Sequence, residues 1–386
     1  MKYCVGLIWL MLVQYVAAQD LPWREQEQLE QMTQRSEGEI QEGEQWLLQL
    51  ETLRNEPLNL NEVVREELLQ LPFLNELQIA SLLDYRDKLG AFISIYELQA
   101  VPLLDVATIR KMLPFVRVGP ALSLREDVGE RIRKGNYALV IRASRVLEKG
   151  KGYKLESGNR YLGDPHHLGL RYRYQYKDQL YWGITADKDP GEQFFRGTQK
   201  TGFDFYSFHF FSRKLGPFQT LALGDFTVNM GQGLIHWQSL ALGKGSEVMM
   251  IKRQSPTLMP YRSAGEFHFK RGIGFTMRKG NLESTLFFSR RRVSANLNSE
   301  DSTQGFTGFS GSGYHRTPSE IEDRKKLGET SAGATLHLAT RKGRVGLNAV
   351  MYAFSLPLQK RDAPYRLFAI NGDRWWNASV DYAQTF

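Results

Sequence analysis

Thiols are almost missing from this sequence. Its 386 residues contain one cysteine, Cys4, which excludes a disulfide-stapled scaffold. Long apolar runs are missing too. Beyond Ala18 no stretch of about 18 apolar residues occurs, so no transmembrane helix is expected. Its 42% hydrophobic and 12% aromatic content excludes a collagen and a wholly disordered chain.

What is present is divided in two. Residues 1–120 hold 10 Lys+Arg and 18 Asp+Glu, a balance of −8, which leaves +16 for residues 121–386. An acidic front and a basic, aromatic rear imply two environments. Residues 1–19 read as a secretory signal, with Lys2 as its charge, Cys4–Val16 as its apolar stretch and Ala17-Ala18-Gln19 as a small-residue exit. Removal of that segment would take Cys4 with it. An exported chain without a membrane helix is either soluble or a β-barrel. Residues 20–57 carry 10 acids and 3 bases and form a Glu/Gln-rich tether.

Residues 58–116 contain a repeat at an offset of thirty. Glu67-Leu68-Leu69-Gln70-Leu71-Pro72-Phe73-Leu74-Asn75 returns as Glu97-Leu98-Gln99-Ala100-Val101-Pro102-Leu103-Leu104-Asp105. Ile79, Leu82 and Leu83 are matched by Ile109, Met112 and Leu113 at helical spacing. Each unit predicts helix, Pro-broken turn, helix. Asn75 and Asp105 are placed to cap the second helices, and Ser94 with Glu97 forms a capping box.

This pattern resembles the tandem helix-hairpin-helix domain of the ComEA-type competence DNA receptors, over about sixty residues. The resemblance implies a backbone grip on DNA phosphate through a Gly-apolar-Gly turn. Here those turns read Phe73-Leu74-Asn75 and Leu103-Leu104-Asp105, without glycine. Bulky side chains would block close approach and Asp105 would repel phosphate, which argues for a structural or protein contact. That candidate site is Pro72, Phe73, Leu74, Asn75, Pro102, Leu103, Leu104 and Asp105.

From Tyr137 the period changes to two. Leu168, Leu170, Tyr172, Tyr174 and Tyr176 share one face, and Gly169, Arg171, Arg173, Gln175 and Lys177 share the other. Val345, Leu347, Ala349, Met351 and Ala353 share another apolar face, and Phe267 and Phe269 alternate with Glu266, His268 and Lys270. Further strands are expected at 137–146, 180–187, 203–213, 218–226, 272–278 and 282–291. The fold class expected is α+β multidomain: a small helical hairpin domain followed by an antiparallel transmembrane β-barrel of roughly 12–14 strands. Arg142, Arg171, Arg173, Gln175 and Lys270 are the candidate lumen residues. The pairs Tyr181-Trp182, Phe194-Phe195 and Trp375-Trp376 suit aromatic girdles, and 299–329 reads as a long external loop. The closing residues Trp376–Phe386 read either as a barrel-insertion signal or as a strand cut short that leaves the barrel open.

The combination resembles a family of Bacteroidota outer-membrane proteins with an export signal, a helix-hairpin-helix region and a β-barrel. It is carried by Gly224-Asp225-Phe226, Met230-Gly231-Gln232-Gly233-Leu234 and Gly243-Lys244. It implies the outer membrane, with the helical domain in the periplasm. The positive balance of residues 121–386 suits basic outer loops and rims that bind lipopolysaccharide head groups, and the glycine-less hairpins suit a periplasmic protein partner. Catalytic motifs fail: Gly243-Lys244-Gly245-Ser246 lacks the phosphate-loop glycine and hydroxyl, and nothing fixes a geometry for Asp225, His236 and Ser239. His166 and His167 read as turn residues and no metal or cofactor is expected. The expectation is a non-enzymatic barrel that the helical domain plugs or uses to dock a partner. The alternative is a DNA-uptake receptor.

Overall fold

A computed structural model describes residues 50, 52–71, 73–119, 128–156, 158–238, 253, 255–298, 305–340, 343–360 and 363–384. The expected signal, most of the tether, Pro72, Ser239 and Gly243–Ser246 lie outside the described residues. The chain is mostly β-sheet, at 46% strand, with few helices.

A two-residue parallel pair, β1 (Leu58–Asn59) with β2 (Val116–Arg117), brackets the helical stretch. The strands that follow are β3 (Asn136–Arg145), β4 (His166–Tyr176), β5 (Leu180–Lys188), β6 (Phe205–Leu215), β7 (Phe218–Val228) and β8 (Leu258–Pro260). Then come β9 (Lys270–Lys279), β10 (Leu282–Val293), β11 (Ala295–Asn298), β12 (Gly305–Phe309), β13 (Leu327–Thr340), β14 (Gly343–Leu358) and β15 (Gly372–Gln384). Thirteen strands, β3 to β15, belong to one sheet. Its body is an antiparallel up-and-down series, β3-β4-β5-β6-β7-β9-β10-β13-β14-β15, on which β8, β11 and β12 are short additions.

That sheet is not closed into a barrel, which corrects the expected architecture. Among the described residues β3 and β15 each pair along one side only. The thirteen strands fall within the expected 12–14, although β8, β11 and β12 are short and lie in the connections between long strands. Within the expected 299–329 loop the described residues 305–329 are folded: β12 and a helix at Pro318–Glu322 occupy them, and Phe306, His315 and Leu327 are buried. Its four glycines conceal these anchors. The alternating segment at Phe267–Phe269 lies outside a strand, and β9 begins at Lys270.

Antiparallel succession puts alternate connections at opposite ends. The tight turns, at 177–179, 216–217 and 280–281, share one end, and the long connections share the other. Gly216 and Gly280 have φ of +58° in open space, so the left-handed backbone, not crowding, requires glycine there.

The faces alternate as the period predicts, with an inversion of ordinary burial. Thr285, Ser289 and Arg291 of β10 are buried, as are Glu329, Ser331, Thr335 and His337 of β13. Their intervening neighbours Leu286, Phe288, Leu336 and Leu338 are exposed. Tyr181 from β5, Phe211 from β6, Phe287 from β10 and Val350 from β14 join one cluster with Met230 and Leu258, so the sheet curls around its polar side. Adjacent strand residues point oppositely, so the expected girdle pairs are split. Tyr181 is buried in that cluster and Trp375 packs on Phe354, while Trp376 is exposed.

The residues before the sheet build a separate apolar cluster from Leu60, Val63, Leu68, Leu82, Leu98 and Met112, among others. Helices at Arg65–Leu68, Glu76–Leu89 and Val106–Met112 and a 3-10 turn at Ile95–Ala100 supply it. Asn75 Oδ1 accepts from Gln78 N at 2.8 Å, and Asp105 Oδ1 accepts from Thr108 N at 3.0 Å. The thirty-residue repeat closes on itself, since Gln78 Nε2 meets its counterpart Thr108 Oγ1 at 3.5 Å and Ser81 Oγ donates to Pro102 O at 2.6 Å. Leu82, at 0% exposure, stands at the centre of this packing. Leu82→Ala is expected to cost about 2–5 kcal/mol of local stability, read as lost amide-exchange protection across 76–89. Leu103→Ala, at a 60% exposed side chain, should stay within about 0.5 kcal/mol.

Candidate functional site

The covered face of the sheet is built from paired charges. Lys270 Nζ donates to Glu329 Oε1 at 2.7 Å and Arg291 Nη2 to Glu329 Oε2 at 3.0 Å, so two cations share one carboxylate. Lys270 also stands 4.6 Å from the centre of the Tyr352 ring, whose hydroxyl hydrogen-bonds with His236 Nδ1 at 2.8 Å. Removing these ions from water is costly, and each is tolerated because a partner of opposite sign lies within hydrogen-bond reach.

Strand register places the sequence-derived lumen residues on that same face. Arg142, Arg171, Arg173 and Gln175 lie opposite Gly169, Val140, Ala138 and Asn136 across the β3–β4 pair. Arg173, Gly183, His209 and Gly224 then form one row from β4 to β7. A Cβ on Gly183 would come within 2.5 Å of the Tyr172 backbone oxygen and 3.0 Å of the His209 ring, so glycine is required by the neighbouring backbone first and the imidazole second. Asp225 grips Arg271 bidentately at 2.6 and 2.7 Å, while His236 is held by Tyr352. The triad candidates Asp225 and His236 are therefore partnered elsewhere.

At the tight-turn end, the helical stretch is clamped to the sheet. Glu67 pairs with Lys214 at 3.0 Å, Gln70 Nε2 donates to Asp178 Oδ2 at 3.1 Å, and Glu76 pairs with Arg344 at 3.6 Å. Glu76 is also ion-paired with Arg65. Burial, then the charge of Glu283 at the start of β10, pushes the Glu66 carboxyl up to about 7. Just beyond, Thr52, Gln70, Tyr181, Arg213, Pro260 and Arg262 enclose a cavity of only about 10 Å³.

The expected hairpin contact site divides across this junction. Phe73 packs 5.8 Å from Phe115, and Leu74 and Leu104 are buried. Pro102 and Leu103 remain exposed, and Leu103 adopts a left-handed φ of 68°. Asn75 and Asp105 occupy the helix N-termini with their own side chains, which removes donors a phosphate would use. On the outer face of the sheet near this end, Tyr174 and Tyr176 are covered. Tyr174 Oη donates to Ile132 O at 2.6 Å, under a short helix at Val128–Arg133.

The long connections meet in a second buried network that the sequence did not reveal. His315 Nδ1 lies 2.7 Å from Asp204 Oδ2, its Nε2 lies 3.0 Å from Ser294 Oγ, and its backbone N donates to Glu192 Oε1 at 2.8 Å. Asp189 N donates to the other Glu192 oxygen at 3.0 Å, and Arg324 pairs with Asp204 at 3.2 Å. Burial, then the nearby Asp204 charge, raises the Glu192 carboxyl to about 8. The ligand atoms of Glu192, Asp204 and His315 lie within 4.8 Å of one another, close enough to share a metal ion. Each already has a hydrogen-bond or ion-pair partner, and the Arg324 guanidinium supplies the positive charge an ion would bring. The arrangement is a latch that fastens the 189–204 and 294–326 connections.

His167, Asp187 and Asp189 form another such group. His166 and His167 open β4 instead of forming a turn, because Asp164 Oδ1 accepts from His166 N at 2.9 Å and starts the strand. The β4–β5 register then brings His167 within 3.3 Å of Asp187. Each histidine lies twenty or more positions from the carboxylates of its group, so no local spacing announced either group.

No protein-family model matches the chain, nor does any curated protein or solved structure.

The raised Glu66 carboxyl gives the junction a pH dependence of defined sign. Its protonated form is favoured when docked, so the stabilisation is complete below the ordinary carboxylate range and is lost as pH rises through about 7. Limited proteolysis of residues 58–118 should therefore accelerate between pH 6 and 8.5, and Glu66→Gln should flatten that rise. Equal rates at both pH values in the unsubstituted chain would contradict the assignment.

Proposed function

We propose that this chain is a non-enzymatic outer-membrane β-barrel protein whose helical stretch, of helix-hairpin-helix type, closes the mouth at the tight-turn end. The observation that carries the reading is the inverted sheet: ion pairs and hydroxyls are covered, while leucine, phenylalanine, valine and methionine line the exposed side. An apolar surface running across this many strands has no stable place in water and matches a lipid-facing band. No described helix is long and apolar enough to cross a membrane, which leaves strands as the spanning elements.

Orientation follows from loop length. Barrels of this class keep tight turns on the periplasmic side and longer loops outside. The helical stretch docks on the tight-turn end through Glu67, Gln70 and Glu76, which supports a periplasmic plug. In lipid, the free edges of β3 and β15 must find partners, either each other or further strands. The DNA-receptor alternative gains no support from the hairpins, one of which turns its acidic helix start, Glu76, toward Arg344 of the sheet.

Two measurements test this reading. Detergent-extracted protein should migrate differently on a gel before and after boiling, and recovery in the soluble periplasmic fraction would overturn the proposal. Leu336→Arg, on the exposed face, should lower folding stability in bilayers by about 2–4 kcal/mol if it lies mid-membrane. A similar loss in detergent-free buffer would instead indicate a water-soluble sheet.

A further inference from the structure

The outer face of the sheet carries a cavity of about 310 Å³ near the long-loop end, lined by Arg290, Arg292, Lys325, Lys326, Gly328 and Ser355. Alternation along β10 turns Arg291 inward to Glu329, and leaves Arg290 and Arg292 exposed on the apolar side. Lys325 is drawn toward the loop network, where its Nζ donates to Asp204 O at 3.3 Å. Arg290, Arg292 and Lys326 have no ion-pair partner among the described residues. Three unneutralised cations around one concavity form a site for a multiply charged anion.

What lies beneath that concavity names the rest of the ligand. Register sets Arg290 beside Thr330 and Ala353, and one step down it sets Phe288 beside Ala332 and Met351. A further step down, Leu286 stands beside Ala334 and Ala349. Each step on one face spans about 7 Å. The exposed side of β13 thus runs Gly328, Thr330, Ala332, Ala334, a shallow trough between the exposed Phe288 and Met351. Arg374 of β15, opposite Ala353, adds a fourth base at the height of Arg290. Charge sits above and an apolar trough runs below, in the orientation a lipid takes beside a barrel.

Resting on the membrane reading above, we infer that Arg290, Arg292 and Lys326 hold the phosphate of an amphiphile whose acyl chain lies along the β13 trough. The ligand class is a phosphorylated lipid of the leaflet facing the long loops. Cations of this kind near a charged membrane surface each add attraction, and three together make phosphate the discriminating feature.

The test uses the full chain in detergent, with native mass spectrometry reading bound lipid. The probes are lipid A carrying two phosphates and the same lipid stripped of both. The unsubstituted chain should retain the phosphorylated form about tenfold or more over the stripped form. The triple variant Arg290→Gln, Arg292→Gln, Lys326→Gln should lose that preference, and Arg290→Lys with Arg292→Lys should keep most of it. Unaltered heat-modifiable migration shows that the variants fold. A triple variant that still prefers the phosphorylated lipid overturns the site. Displacement of the lipid by millimolar inorganic phosphate overturns the lipid assignment in favour of a free anion. In both cases the membrane reading stands. If the unsubstituted chain stays soluble and takes up neither lipid, both readings fall together.

Discussion

A β-strand cannot choose a single character for all its side chains; it must give one character to each side. In this sheet the side that curls inward took the charges, and that choice forces the rest. Lys270, Arg291 and Glu329 are stable only as a set, because any one of them left alone would be a buried, uncompensated ion. The same pressure accounts for the pairing of Arg213 with Asp178, and for His236 and Arg262, which pack against Tyr352 and Tyr181 of the strands. The apolar residues are thereby displaced to the other side, where Leu286, Phe288, Leu336 and Leu338 stand exposed.

The helical stretch answers a complementary requirement. A curled sheet with polar contents needs its ends covered, and the tight turns present Asp178, Lys214, Glu283 and Arg344 together at one end. The acidic excess of the front half, visible as Glu67 and Glu76, meets the bases of that end. Charge division along the chain thus becomes a docking interface in space. The helical stretch contributes an apolar cluster of its own, and Pro102 and Leu103 remain exposed outside it.

Much of this was legible in the residues. Period two located β3, β4, β5, β10 and β14 to within a few positions, because strands that separate a wet face from an apolar one cannot break alternation without misplacing a charge. The caps at Asn75 and Asp105 and the thirty-residue repeat were equally plain. Three things were hidden. Glycine at 305, 308, 311 and 313 made a folded connection resemble a loose one. Phe267–Phe269 alternates by coincidence just before β9, where the chain is turning. Asp204 and His315 come together only through the stacking of long connections, and no local pattern encodes that distance. The exterior cations Arg290 and Arg292 were similarly mute, since a triple arginine says nothing about which member faces out until register is known.

The segregation of connection lengths has a further consequence. The tight turns at 177–179, 216–217 and 280–281 set which residues face each other across every hairpin, while 146–165 and 359–371 merely carry the chain between hairpins already in step. The first of these is tied down, since Leu162 N donates to Arg316 O at 2.9 Å and Gly163 N to Gly191 O at 2.8 Å, whereas the second leaves Tyr365, Leu367 and Phe368 exposed. Freedom to change length on that rim is thereby confined to the stretch before β15, while the opposite rim is held to fixed dimensions by the hairpins it must hold in register.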